Sequence, residues 1–333
     1  MEFLSEYGLF LAKAITVVAA ALIIAGGIVA LSSRGHQKIK EHIEVKHLNR
    51  KYEDMANMLH AALLPKKAFK AKLKHLKKQH KAEKQTTQSR DHRIFVLNFH
   101  GDIRGSAVAS LREEITAILT VANPEDAVLL RLESPGGLVH AYGLAASQLL
   151  RIKDRKMQLT VAVDKVAASG GYMMACVADR IIAAPFAVIG SIGVVAQLPN
   201  FYRLLKKNEI DFEQFTAGEY KRTLTFFGEN TDKGRMKFQQ EIEETHQLFK
   251  DFVKEHRNAV DISRVATGEH WYGTQALECK LVDELCTSDD YLLKASESTN
   301  LFEVTYVSKK SMIAKMFSIG TRLWDQYRFN LPS

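Results

Sequence analysis

From residue 93 onward, short apolar runs alternate with longer stretches of helical period. Ile94 to Phe99 is a compact β-rich run, and Ala127 to Leu132 is a second, ending in the turn Glu133-Ser134-Pro135-Gly136-Gly137. Leu159 to Val163 is a third. Between them, Leu111 to Val121 and Val139 to Ile152 place apolar residues at three- and four-residue spacing, the signature of an amphipathic helix. Strand and helix patterns in alternation predict an α/β domain with a mainly parallel sheet. Met173 to Gln197 is apolar but broken by Asp179, Arg180 and Pro185, so it is expected to be core rather than membrane span. Thr231 to Arg257 is expected to be one long charged helix.

The amino-terminal pattern is different. Ala14 to Leu31 runs for 18 residues without a charge; about 20 are needed to cross a bilayer. Glu2 and Glu6 precede it, where a cleaved signal peptide would carry basic residues, so an uncleaved transmembrane helix is expected. Tyr52 to Leu64 reads as a short helix with Met55, Met58, Leu59 and Leu63 on one face. Residues 85–92 are polar and turn-like, and the segment from Ser311 to Tyr327 is basic and amphipathic. The expected organisation is therefore a membrane anchor over 1–33, a basic helical stalk over 34–91, a catalytic domain over 92–300 and an amphipathic tail over 301–333.

Charge sharpens this picture. The formal net charge is +8. Lys66 to Lys84 alone carries nine Lys and one Glu, leaving 37 basic and 37 acidic residues elsewhere. The basic character thus belongs to one segment, suited either to anionic headgroups or to a solvated spacer, and no basic–aromatic interleaving supports a nucleic-acid partner. Arg34, Lys38 and Lys40 follow the apolar span while only Lys13 lies at its front, a bias that would put the chain after the span in the cytoplasm. The three cysteines, Cys176, Cys279 and Cys286, have neither metal-ligand spacing nor an even framework.

Three small-residue turns follow strand candidates: Ser134-Pro135-Gly136-Gly137, Ala168-Ser169-Gly170-Gly171 and Gly190-Ser191-Ile192-Gly193. Sites in open α/β sheets form beyond the carboxyl ends of strands. Ser169 is expected at a helix start, where free N–H groups favour a developing oxyanion and so suit acyl transfer. A nucleophilic serine needs a base, and no His occurs between His140 and His246. A lysine is then a candidate, neutral near pH 7 when buried. Lys221, after Gly218-Glu219-Tyr220, and Lys165, four residues before Ser169, both qualify on these grounds.

The segments LESPGG (132–137), DKVAASGGYMMACVAD (164–179), GSIGVVAQ (190–197), TAGEYKRTLT (216–225) and ATGEHWYG (266–273) together resemble the signal peptide peptidase A family. The resemblance runs from the anchor to about residue 310. It implies a ClpP/crotonase-type fold, Ser169 as nucleophile and Lys221 as general base. Gly137 and Gly170 would supply the oxyanion hole, and Ser191 would orient the lysine amine. It implies no metal or cofactor. The implied partners are apolar peptide substrates such as signal-peptide remnants, the lipid bilayer, and further copies in a ring whose active sites are shared between subunits. The implied location is a bacterial inner membrane with the catalytic domain on the periplasmic side, against the flanking charges. Two rival readings fit the fold: an acyl-CoA hydratase or isomerase, and a non-enzymatic membrane scaffold or adaptor that binds peptides without turnover.

Overall fold

The computed structural model describes residues 8, 10–20, 41–74 and 92–308. They fall into a body, Ile43–Tyr306, and a second unit drawn from 1–42 and 307–333. In the second unit residues 10–20 are helical and exposed. No helix among the described residues is long and apolar enough to cross a membrane. Residues 1–7, 9 and 21–33 of the expected anchor, 34–40 and 75–91 of the expected stalk and 309–333 of the expected tail lie outside the described residues.

The body is an α/β fold. Its main sheet has seven strands: β1 (His42–His47), β2 (Arg93–His100), β3 (Ala127–Glu133), β4 (Gln158–Val163), β6 (Arg180–Ala183), β9 (Glu284–Leu285) and β10 (Asn300–Val307). Their order is β1-β10-β2-β3-β4-β6-β9, parallel from β10 through to β9. A second sheet joins β5 (Val166–Ala168), β7 (Val188–Gly190) and β8 (His270–Tyr272). The parallel bridge between Ser134 and Ala167 links the end of β3 to β5.

The near-continuous apolar runs of β2, β3 and β4 follow from burial on both faces. One face carries Leu97, Phe99, Leu130 and Leu132, packed beneath α2 (Val108–Val121), α3 (Val139–Asp154) and α4 (Gly170–Ala175). The other carries Ile94, Val96, Leu129 and Leu301, covered by Leu48 and Tyr52 of α1 (Leu48–Leu63) and by Leu292 of α9 (Ser288–Ala295).

Three elements lie where a stalk and a tail were expected. β1 and α1 fall within 34–91, and β10 begins at the expected end of the domain. Asn49 ties them together: its amide donates to the carbonyls of Ser296 and Thr299 at 2.9 and 2.8 Å, and its carbonyl accepts the Leu301 N–H at 2.8 Å. Beyond Tyr52 the apolar face of α1 continues through the exposed residues Met55, Met58, Leu59 and Leu63.

Further helices of the body are α5 (Tyr202–Lys207), α6 (Asp232–His256), α7 (Ile262–Val265) and α8 (Gly273–Glu278). α6 is capped by Thr231, whose hydroxyl accepts the Gly234 N–H. It docks late along its length: only Phe249 and Val253 are buried, and His246 donates a ring N–H to the Ile192 carbonyl at 3.2 Å.

Candidate active site

Ser169 sits between β5 and α4 with φ 51 and ψ −120. A serine there is strained by about 1–3 kcal/mol, and such strain persists only where its surroundings enforce it. The enforcement is visible. The Ser169 N–H donates to the Gly190 carbonyl at the end of β7 (2.7 Å), and the Ser169 carbonyl accepts the Met173 N–H of the first helical turn (3.0 Å). The side chain is half-buried and reachable, while Gly170 and Gly171 behind it are buried.

The turn after β3 lies directly against this serine. Gly136 has φ +91, and a Cβ placed on it would lie 2.8 Å from the Ala168 carbonyl oxygen, the Gly170 nitrogen and the Ser169 Cβ. Only glycine allows that approach. The Gly136 N–H is taken by the Ser134 hydroxyl at 3.1 Å. Gly170 opens α4, where a backbone N–H has no intrahelical acceptor. Among the described residues neither Gly137 nor Gly170 donates its N–H to a protein acceptor. Gly170 follows Ser169 directly, and the Gly136 turn that carries Gly137 is pressed against the same serine; a tetrahedral oxyanion requires N–H donors of this kind close to the attacked carbonyl.

The other expected site residues are placed as follows. Ser191 also has positive φ, 49; its N–H donates to the Glu269 carbonyl (2.8 Å) and its hydroxyl to the Gly268 carbonyl (3.4 Å). Lys221 is exposed in a loop, and its amine has no hydrogen bond to Ser169 or Ser191 among the described residues. That loop is held to the start of α6, where Lys233 pairs with Glu219 and lies 5.9 Å over the Tyr220 ring. Lys165 donates to both carboxylate oxygens of Glu133, at 3.2 and 3.0 Å. Cys176 is fully buried and burial pushes its thiol up, which keeps it a packed core residue rather than a nucleophile.

The sequence matches the family description "Peptidase family S49 N-terminal" over residues 2–149 and "Peptidase family S49" over residues 151–301. The chain belongs to peptidase family S49. "Probable protease SohB" of Haemophilus influenzae is 50% identical to it over 325 residues, covering 94% of this chain and 92% of that protein. "Probable protease SohB" of Buchnera aphidicola subsp. Schlechtendalia chinensis is 49% identical over 304 residues, covering 88% and 99%. Among solved structures, the "1510-N membrane-bound stomatin-specific protease", in a mutant form, is similar with TM-score 0.42 and 15% identity, over 61% of this chain and 84% of that one.

In this S49 peptidase the sequence motifs did not reveal what supports the glycine turns. Ser134 and Tyr142 are both fully buried, and their oxygens lie 2.7 Å apart. The Tyr142 hydroxyl donates to the Asp102 carbonyl at 2.8 Å, and burial pushes that phenol up. The Asp102 carboxylate is held below the usual range, first by the Ser106 hydroxyl and then by backbone N–H groups of the same loop. The one signal for Tyr142 in the sequence is a phenol on the apolar face of a helix, where phenylalanine would pack equally well.

Proposed function

We propose that this S49 peptidase is a membrane-anchored serine endopeptidase of ClpP/crotonase type that hydrolyses apolar peptides, signal-peptide remnants among them. The observation that carries the reading is Ser169 itself: a strained, reachable serine at a helix start, with the Gly136 turn pressed against it; the N–H groups of Gly137 and Gly170 are assigned to the oxyanion. Lys221 takes the hydroxyl proton as Ser169 attacks a peptide carbonyl. The two amides hold the oxyanion. Lys221 then protonates the leaving amine, and water resolves the acyl-enzyme, so that acid and base roles alternate on one group. Ser191 orients the amine once Lys221 is in place.

The position of Lys221 supports active sites shared between copies in a ring. Its loop is fixed near residue 233 of α6, whereas α6 meets the Gly190–Gly193 turn at His246. Those points are separated by 13 residues of helix, about 20 Å at 1.5 Å per residue. A lysine held at that end of α6 is distant from the turn beside its own serine, as a site completed by a neighbour's lysine would require. The pairing of Lys165 with Glu133 supports choosing Lys221 over it.

The test is peptide hydrolysis by detergent-purified full-length protein. Ser169→Ala and Lys221→Ala are each expected to be inactive and Lys165→Ala active. Co-assembled mixtures of Ser169→Ala and Lys221→Ala regain activity if sites are shared. Inactivity of Lys165→Ala alone would show that the wrong base was chosen, and full activity of Ser169→Ala would refute the reading. The body is assigned to the periplasmic side of a bacterial inner membrane. A reporter fused after Ser333 that works only in the cytoplasm would refute that assignment.

A further inference from the structure

Tyr142 touches the turn after β3, the loop after β2 and the start of α4, next to Ser169. It lies on α3 with no exposed surface. A phenol has one proton to give, and the Asp102 carbonyl takes it at 2.8 Å. The Ser134 hydroxyl therefore donates to the Tyr142 oxygen at 2.7 Å, and itself accepts the Gly136 N–H at 3.1 Å. The result is a directional chain from Gly136 N–H through Ser134 and Tyr142 to the Asp102 carbonyl, in which each bond polarises the next.

The ring does a second job. A Cβ on Gly170 would lie 2.5 Å from the Tyr142 Cγ and 2.8 Å from its Cβ, so the helix start packs tightly against the base of that ring. A Cβ on Gly101 would lie 2.3 Å from the Ser134 Oγ and 2.4 Å from the Tyr142 hydroxyl oxygen. The third segment, after β2, is strapped to the same turn by the Leu138 N–H donating to the Ile103 carbonyl at 2.9 Å. The glycines at 101, 136 and 170 thus surround one buried side-chain pair.

We infer that Tyr142, acting with Ser134, is a positioning residue that fixes the Gly136-Gly137 turn and the Gly170 amide in register as an oxyanion hole. This rests on the reading of Ser169 as nucleophile. Phenylalanine at 142 would keep the ring beneath Gly170 but cut the chain that holds the turn. Alanine at 134 would cut the same chain from the other side with a smaller change in packing.

The experiment measures kcat and KM for an apolar peptide with full-length Tyr142→Phe and Ser134→Ala, each well below its melting temperature, together with the affinity of a peptide boronic acid that forms a tetrahedral adduct on serine. The expected result is a fall in kcat of about 10- to 100-fold with KM within about twofold. The boronate should weaken by the factor that kcat/KM loses, since both report the tetrahedral state. Should Tyr142→Phe fail to fold, Ser134→Ala carries the test. Lower melting temperatures with kcat and boronate affinity unchanged would overturn the inference, because a purely structural role predicts that pattern. Ser169→Ala separates the two levels. If it hydrolyses peptide, the nucleophile reading fails and the inference falls with it; if it is inactive while both network variants keep wild-type kcat, the inference alone fails.

Discussion

Gly136→Ala is the substitution that the geometry judges most severely. The residue has φ +91, in the left-handed region, where a Cβ costs about 1–2 kcal/mol. The new methyl would also lie 2.8 Å from three atoms, two of them backbone and the third the Cβ of Ser169. None belongs to the far end of a flexible chain, so relief requires β5 or the Ser134–Gly137 turn to move, at about 1–3 kcal/mol for an overpacked site. The sum is a loss of about 2–5 kcal/mol, or roughly 5–15 °C in melting temperature for a body of this size. Gly143→Ala is the control. It sits within α3 with nothing within 4 Å of the added Cβ, so alanine should stabilise by about 1 kcal/mol through helix propensity. Thermal melts of both variants, with labelling by a fluorophosphonate serine probe, read the comparison. Gly136→Ala should lose stability and label slowly even when folded; Gly143→Ala should do neither. A Gly136→Ala protein within about 0.5 kcal/mol of wild type that labels at the wild-type rate would refute the claim that the turn is pressed against the nucleophile.

Other measurements probe the body away from Ser169. Glu114 is buried on α2 and accepts the Tyr306 N–H at 2.8 Å; burial pushes its carboxyl up, only partly offset by that hydrogen bond. A raised folded value means stability that is complete below the unfolded carboxylate pKa and lost as pH climbs through the folded one. The stability of Glu114→Gln relative to wild type should therefore improve from pH 4 to pH 8, and a pH-independent difference would contradict it. Asp126 behaves oppositely. Burial pushes it up, but the Arg93 hydrogen bonds, the Asn123 N–H and the Arg93 charge outweigh burial and hold it low. Its contribution is present above the unfolded value and lost as pH falls through the lower folded one. Arg93→Met should cost about 1–3 kcal/mol at neutral pH by leaving the carboxylate with too few partners. That gap should narrow below about pH 4, where an unperturbed Asp titrates; denaturant melts showing an equal gap at pH 3 and pH 7 would contradict the assignment.

The strands buried on both faces were the legible part of the fold. Ile94 to Phe99, Ala127 to Leu132 and Leu159 to Val163 lie within β2, β3 and β4 of the structure, because a strand covered on both faces is written as a short continuous apolar run bounded by turn residues. β1, His-Ile-Glu-Val-Lys-His, escaped notice because it is an exposed edge strand with charges on it, the composition that discourages edge-to-edge pairing. The second sheet was equally hidden, since β5, β7 and β8 have three residues each and no period can be read from three positions. At the candidate site, the motif glycines mark turns that the structure packs together at Ser134–Gly137 and Ser169–Gly171, and it adds positive φ at Ser169 and Ser191. The Ser134–Tyr142–Asp102 chain was not legible, because its members are linked by contacts across 8 and 40 positions that no local pattern encodes.

The place of β10 in the sheet bears on how the chain is made. It lies between β1 and β2, so Leu301 seals Ile94 and closes on Asn49 across 252 positions. At a synthesis rate of about 5–20 residues per second, β2 waits roughly 10–40 s after emerging before its neighbour exists. Throughout that interval one edge of a strongly apolar strand stands open, and parallel pairings of such long sequence separation are slow to form even once both partners are present. A nascent body therefore passes through a stage in which it is a substrate for chaperones and proteases, and only the arrival of residues near the carboxyl end makes it a protease.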